Sequence, residues 1–366
     1  MSMRSSFDIA VFEGDGIGPE IMRPTLALLD RVARRHQLSL RFNEVPAGAA
    51  LYASTGEALP AASMEAARKA DAVLLGAMGL PDVRYDDGTE ISPQIDLRKE
   101  LHLFAGVRPV TLSEDQRSPI SIEPGRRVDF VLIRESTEGL FWSLGRGEVT
   151  ADEARETLVI TRETSQKLFR FAFDLAARRK SEGRGTGRVT CVDKANVFRA
   201  FAFFRGIFDE EATKRPDLAA NHAYVDAMAL HMIQKPWDLD VLVTENMFGD
   251  ILSDLGAGLM GGLGVAPSAD IGDQHAVFQP CHGSAPDIAG QGAANPHAMI
   301  LSAAMMLEWL GHQHQVTTAI SAGDELRRAV ERTLSEQRGL TRDLGGDCST
   351  EEAGRAVAEL LEGVTA

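Results

Sequence analysis

The sequence predicts an α/β fold, and three observations carry that prediction. Short apolar runs alternate along the chain with longer segments whose apolar residues recur at helical spacing. No internal repeat or long low-complexity tract interrupts the alternation. The chain carries 34 glycines, enough for many tight turns between elements. At 366 residues it is long for a single core, so two lobes are expected.

The run 7–12 reads as the first strand. Gly18-Pro19-Glu20 then opens a helix, because proline suits the first turn and a carboxylate suits the helix dipole. Ile21, Leu28, Leu29 and Val32 give that helix its apolar stripe. Further strands are expected at 72–76, 128–134, 188–192 and 239–244. Further helices are expected at 162–179, 299–310, 324–336 and 351–361. Two polar loops stand out, 113–127 and 179–188. The second is basic and glycine-rich and reads as a solvated hairpin or a helix–strand connection. Gly14, Gly16 and Gly18 do not form the dinucleotide fingerprint G-x-G-x-x-G, because Pro19 stands where its third glycine belongs. A strand-to-helix turn that needs small residues explains them equally well.

The net charge of −15 repels nucleic acid and anionic membranes, so neither is an expected partner. It also repels a small anionic substrate. A site for one must gather its own positive charge from arginines or a metal. The three cysteines, Cys191, Cys281 and Cys348, are widely spaced, which fits a reducing compartment rather than a disulfide framework. Residues 1–8 lack the apolar core of a signal peptide, and no apolar run approaches the roughly 20 residues that span a bilayer. A cytoplasmic location is the expectation.

Asp250 and Asp254 lie four residues apart, on one face of an expected helix. Phe248, Ile251, Leu252 and Leu255 fall elsewhere and are expected to anchor that helix in a core. Two stacked carboxylates suit a hard divalent cation with oxygen ligands. Two solvated aspartates fit the spacing as well. Asp226 sits among apolar residues and would need a partner or a metal if buried.

Five ordered segments then carry a family resemblance. They are Gly14-Asp15-Gly16-Ile17-Gly18-Pro19-Glu20, Val192-Asp193-Lys194-Ala195-Asn196, Tyr224-Val225-Asp226-Ala227-Met228, residues 246–254, and His282-Gly283-Ser284-Ala285-Pro286-Asp287-Ile288-Ala289-Gly290. Together they resemble the β-decarboxylating dehydrogenases, which include isopropylmalate, isocitrate, homoisocitrate, tartrate and D-malate dehydrogenases. The resemblance implies two α/β lobes about a cleft, the isopropylmalate dehydrogenase-like fold rather than the usual Rossmann fold. It implies a homodimer with shared active sites, a first lobe of 1–103 plus 260–366, and a second of 104–259.

The resemblance also implies roles. Arg98, Arg108 and Arg134 match arginines that grip substrate carboxylates, for which planar guanidiniums are suited. Asp226, Asp250 and Asp254 match the ligands of a catalytic Mg²⁺ or Mn²⁺, with Asp226 coming from the partner subunit. Lys194, also from the partner, matches the general base, with Asp226 beside it in the catalytic set. Asn196 matches a contact to the nicotinamide end. His282, Gly283, Ala285, Asp287, Ile288 and Asn295 match the adenosine loop, where Asp287 favours NAD by repelling a 2′-phosphate.

Two departures are visible. Phe141 stands where the family places a tyrosine thought to protonate the enol, and phenylalanine has no acidic hydrogen. Tyr85 is a conceivable substitute; without one, an altered last step is expected. Ser92 and Gln94 put polar groups into the pocket for the C3 substituent, where isopropylmalate enzymes usually carry leucines at Gln94 and Ile95. The reading is therefore NAD-dependent oxidative decarboxylation of a 3-substituted (R)-malate, 3-isopropylmalate dehydrogenase-like. Tartrate or D-malate is the alternative substrate, then isocitrate or homoisocitrate. A non-catalytic regulatory subunit is the alternative of a different class.

Overall fold

The computed structural model describes residues 4–112 and 116–362, so residues 113–115 of the first polar loop lie outside the described residues. The elements in chain order are β1 (Ser6–Gly14), α1 (Gly18–Arg35), β2 (Ser39–Glu44), α2 (Ala49–Thr55), α3 (Ala61–Lys69), β3 (Ala72–Ala77), α4 (Pro93–Glu100), β4 (Ala105–Leu112) and β5 (Val128–Glu135). There follow β6 (Glu148–Val149), β7 (Ala154–Arg155), α5 (Arg162–Ser181), β8 (Arg188–Asp193), α6 (Arg199–Ala212), β9 (Ala219–Tyr224), α7 (Val225–Gln234), β10 (Val241–Thr244) and α8 (Asn246–Leu259). The last are β11 (Pro267–Ile271), β12 (Ala276–Pro280), α9 (His297–His314), α10 (Thr317–Ser335) and α11 (Thr350–Glu362).

Ten strands form one sheet in the order β2-β1-β3-β12-β11-β4-β5-β10-β8-β9, and β6 pairs with β7 alone. Both wings are parallel, while β12, β11, β4 and β5 pair antiparallel at the centre. This order differs from the usual dinucleotide-binding arrangement. The central strands are buried on both faces, so β3, β10, β11 and β12 read as unbroken buried runs rather than alternating ones. No helix among the described residues is long and apolar enough to cross a membrane.

Every expected element is present, with ends shifted by a few residues except at the start of α10. That helix begins at Thr317, seven residues before its expected start. The strand expected from 239 starts at Val241, because Pro236–Asp238 forms a 3-10 turn ahead of it. The strands β2, β4, β9, β11 and β12 were not expected, nor was the β6–β7 pair. β2 and β9 are exposed edges, while β4 with β11 and β3 with β12 pair segments remote in sequence.

The turn Gly14–Gly18 explains its glycines. Gly14 and Gly16 have φ of +79° and +56°, and a methyl on Gly16 would collide with the Ser284 carbonyl. Ile17 N donates to that carbonyl at 2.8 Å, so the turn braces the 282–290 loop. Asp15 is buried and accepts from Ala49 N, Ala50 N and Gly79 N at 2.7–2.9 Å.

The 179–188 segment does connect a helix to a strand, but its first residue is not solvated. Arg179 is buried, donating from Nε to Asp240 Oδ1 at 2.9 Å and from a terminal nitrogen to Asp129 Oδ1 at 3.1 Å. Asp240 also accepts from Gly187 N at 2.7 Å. Arg179→Met leaves Asp240 without its cation, while Asp129 keeps Arg127, and should cost about 3–5 kcal/mol in chemical denaturation. A loss under about 1 kcal/mol would show that the loop backbone alone satisfies Asp240.

Candidate active site

One cavity gathers Gln94 from α4, Arg98 from the same helix, Arg108 from β4, Arg134 from β5, and Asp250 and Asp254 from α8. His282 and Gly283, just past β12, close its rim, and Phe141 also lines it. Residues from six segments spread over some 190 positions thus meet in one place.

The sheet register explains the grouping. Side chains alternate faces along a strand, so residues facing one another across paired strands share a face. Ser268 pairs with Gln279, and Ala269 with Val107, which puts Arg108 beside Ser268 on the cavity face. Asp270 pairs with Gly106, and Gly106 with Arg134, which puts Asp270 and Arg134 on that same face. Gly106 keeps the row open, because an added Cβ would meet Ser136 Oγ at 2.6 Å.

Asp270 is the site residue that the sequence analysis missed. It has no exposed surface. It accepts from Arg98 Nε at 2.9 Å, from a terminal nitrogen of Arg108 at 3.3 Å and from Gln279 Nε2 at 2.8 Å. Burial acts to raise its pKa, but the two guanidiniums outweigh that and hold the carboxyl below its usual range. Its strand, Pro267-Ser268-Ala269-Asp270-Ile271, is too polar in sequence to be recognised as buried, so no local signal marked it.

Arg134 is buried and donates to Asn246 Oδ1 from Nε at 3.2 Å and from a terminal nitrogen at 2.7 Å. Its other terminal nitrogen pairs with Asp250. Burial pulls its pKa to about 10, so it remains charged at neutral pH. Gly249 makes this possible, because a Cβ there would meet Arg134 Cγ at 2.5 Å. Glu245 caps α8 by accepting from Met247 N at 3.1 Å and Phe248 N at 3.4 Å. Leu252 anchors the helix as expected, but Ile251 is 62% exposed and does not. Burial and then the neighbouring Asp250 push the Asp254 carboxyl above its usual range.

Lys194 and Asp226 are not part of this cavity. They pair with each other at 2.7 Å, and Asp226 is exposed. Among the described residues no three acidic, histidine or cysteine groups lie together as a metal site. Ser92 precedes α4 outside the lining, and Asn196 is exposed. Tyr85 packs edge-on against Tyr52 at 5.2 Å and does not line the cavity, so it does not stand in for the tyrosine replaced by Phe141. Cys281 does line it, and burial raises its thiol pKa, so it is uncharged at neutral pH.

Two buried polar atoms at the cavity have no partner among the described residues, Gln94 Oε1 and His282 Nε2. Such atoms fit a ligand that completes them. Ala285 adopts φ of +37°, and Asp287, Pro286 and Gly290 of the same loop are exposed. Ile288 is half-buried. Asn295 is held from both sides, donating to Asp343 Oδ2 at 3.0 Å and accepting from His297 Nδ1 at 2.7 Å.

Asp270→Ala should destabilise the protein by about 3–5 kcal/mol, because two guanidiniums lose their counter-charge. Equal urea midpoints for variant and parent would contradict the proposed role. His297 gives a pH prediction. It is fully buried, and burial lowers its pKa from 6.5 to about 4. Between those values the unfolded chain binds the extra proton, so stability is complete above pH 6.5 and falls as pH drops toward 4. The contribution amounts to about 3 kcal/mol. His297→Gln should flatten that slope in denaturation series at stepped pH; an unchanged slope would assign the acid sensitivity elsewhere.

Comparison with known proteins agrees with this geometry. The family model described as "Isocitrate/isopropylmalate dehydrogenase" matches residues 8–357. The 3-isopropylmalate/3-methylmalate dehydrogenase of Methanocaldococcus jannaschii is 42% identical, over 96% of this chain and 98% of its own. The 3-isopropylmalate dehydrogenase of Archaeoglobus fulgidus is 41% identical, over 97% and 99%. The crystal structure of isocitrate dehydrogenase from Methylococcus capsulatus superposes with a TM-score of 0.84 at 36% identity, covering 97% of this chain and 99% of that one. With arginines and aspartates meeting in one cavity and similarity along nearly its whole length, the chain belongs to the isocitrate/isopropylmalate dehydrogenase family.

Proposed function

We propose that the protein oxidises a 3-substituted (R)-malate with NAD and a divalent cation and then decarboxylates it, in the manner of a 3-isopropylmalate dehydrogenase. One observation carries the reading: a single cavity holds three arginines together with two carboxylates one helical turn apart. Asp270 engages Nε of Arg98, which leaves that guanidinium's terminal nitrogens for a substrate carboxylate. Arg108 and Arg134 supply the rest of the positive charge. The similarity to 3-isopropylmalate dehydrogenases favours an alkyl group at C3.

Asp250 and Asp254 are the groups that would hold Mg²⁺ or Mn²⁺, and oxygen donors of this kind suit either ion. The cation, when bound, lowers the pKa of the C2 hydroxyl and stabilises the enolate left by CO₂ loss. On this reading Lys194 and Asp226 reach the cavity of a second protomer, where Lys194 takes the hydroxyl proton. Leu230 and Ile233 on α7 and Ile251 on α8 are 52%, 47% and 62% exposed, an apolar surface that suits burial by a second copy. The division into 1–103 plus 260–366 and 104–259 then gives two lobes that close on substrate.

NAD would lie along the 282–290 loop and Asn295, with Asn196 at its nicotinamide end. The Asp287 carboxylate is exposed and without a hydrogen bond or ion pair among the described residues, so it is free to accept from ribose hydroxyls. It would repel a 2′-phosphate. A cytoplasmic enzyme follows from the same reading.

A tartrate-type substrate is favoured by one feature. The buried, unpartnered Gln94 Oε1 would accept from a C3 hydroxyl. A regulatory-subunit reading has less support, because Lys194, Asp226, Asp250 and Asp254 are all retained.

A panel of 2-hydroxy diacids with Mn²⁺, read for NADH, CO₂ and ketone product together, tests the proposal. An alkylmalate should give the highest kcat/KM, and the ketone product should lag CO₂ because Phe141 supplies no proton to the enol. No NADH with any diacid would overturn the enzyme reading, and ketone formed in step with CO₂ would overturn the altered last step. Co-folding Lys194→Ala with Asp254→Ala tests the shared sites. Each variant alone should be inactive, while their mixture should regain about a quarter of parent activity through mixed dimers. A mixture as inactive as its components would place both residues in one protomer's site.

A further inference from the structure

The sheet has a second cavity, on the face opposite Arg108. Alternation along the strands sends Arg108, Ser268 and Gln279 to the front and Val107, Pro267 and Phe278 to the back. On the back, α5 and α9 both cover the sheet yet make little direct contact with each other. The space between them is walled by Leu175, Met305 and Trp309.

The charged groups around this space are unequally satisfied. Arg179 is held by Asp129 and Asp240, and Arg327 by Glu308, Asp324 and Glu331. Arg178 and Arg184 differ. Among the described residues neither guanidinium has a hydrogen bond or ion pair, although each is partly buried at the cavity. Glu182 is exposed at the rim, and burial lowers the His312 pKa, so that ring is neutral at pH 7. Glu182, Glu308 and Asp174 act on Arg178 only at longer range, without a hydrogen bond or ion pair. A half-buried guanidinium with no directly bonded carboxylate, set against an apolar wall, is complementary to an anion with an apolar body.

We propose that the cavity between α5 and α9 binds a small monocarboxylate with a branched or aromatic body. The carboxylate would pair with Arg178 and Arg184, and the body would pack among Leu175, Met305 and Trp309. This site is separate from the one facing Arg108 and does not depend on which malate the protein oxidises.

Calorimetric titration of the full chain with 3-phenylpropanoate and 4-methylpentanoate tests this, with the two neutral amides as controls. The carboxylates should bind, and the amides should bind at least about tenfold more weakly. Arg178→Met should weaken the carboxylates by at least about tenfold; it breaks no hydrogen bond or ion pair, so the fold should survive. Leu175→Trp, which fills the space, should abolish binding, whereas Arg98→Gln at the front should leave it unchanged. Absence of binding up to about 10 mM would overturn the proposal. So would affinity unaltered by Arg178→Met, or affinity lost in Arg98→Gln, which would put the ligand among the front arginines.

Discussion

A carboxylate with no exposed surface organises this protein's site. Asp270 holds Arg98 and Arg108 side by side in a chain whose net charge is −15. Without it, three neighbouring guanidiniums would repel one another in a space of low dielectric. With it, they stay charged and fixed before any ligand arrives. A buried ion pair of this kind adds little net stability, because desolvation offsets the attraction, but breaking it is costly. Its contribution lies in geometry: the clamp is formed in advance, and less binding energy goes into ordering it.

The surrounding backbone is shaped to let these groups approach. Gly106 leaves the row between Asp270 and Arg134 empty of side chain, and Gly249 lets Arg134 cross the first turn of α8 to reach Asp250. Glu245 fixes where α8 begins, and Asn246 fixes the angle of Arg134. On the other side of the cavity, the turn Gly14–Gly18 supports the 282–290 loop through Ser284. These are distant parts of the chain, and each constrains a different wall of the same space.

Much of this was legible in the sequence, for identifiable reasons. The i,i+4 pair Asp250 and Asp254 follows from helical periodicity alone, the helices α1, α5 and α11 follow from their apolar stripes, and α9, buried almost all round, follows from its long apolar run. The arginines became legible only through family resemblance, since an isolated arginine carries no sign of its surroundings. Asp270 was not legible because its meaning depends on the pairing of β11 with β4, strands 160 residues apart, and register between remote strands leaves no local trace. Ile251 was misread because its exposed face looks apolar in sequence, as a core face would. The cavity behind the sheet was invisible for the same reason as Asp270: it is a property of which residues alternate to the far side.

The account rests on one cavity receiving both a cation and a substrate carboxylate. A crystal structure of the protein soaked with Mn²⁺ and 3-isopropylmalate, with anomalous data at the manganese edge, tests this most directly. The account predicts a manganese peak within coordination distance of Asp250 and Asp254, and a substrate carboxylate on the guanidiniums of Arg98, Arg108 and Arg134. Manganese bound away from α8, or a diacid seated away from those arginines, would contradict it.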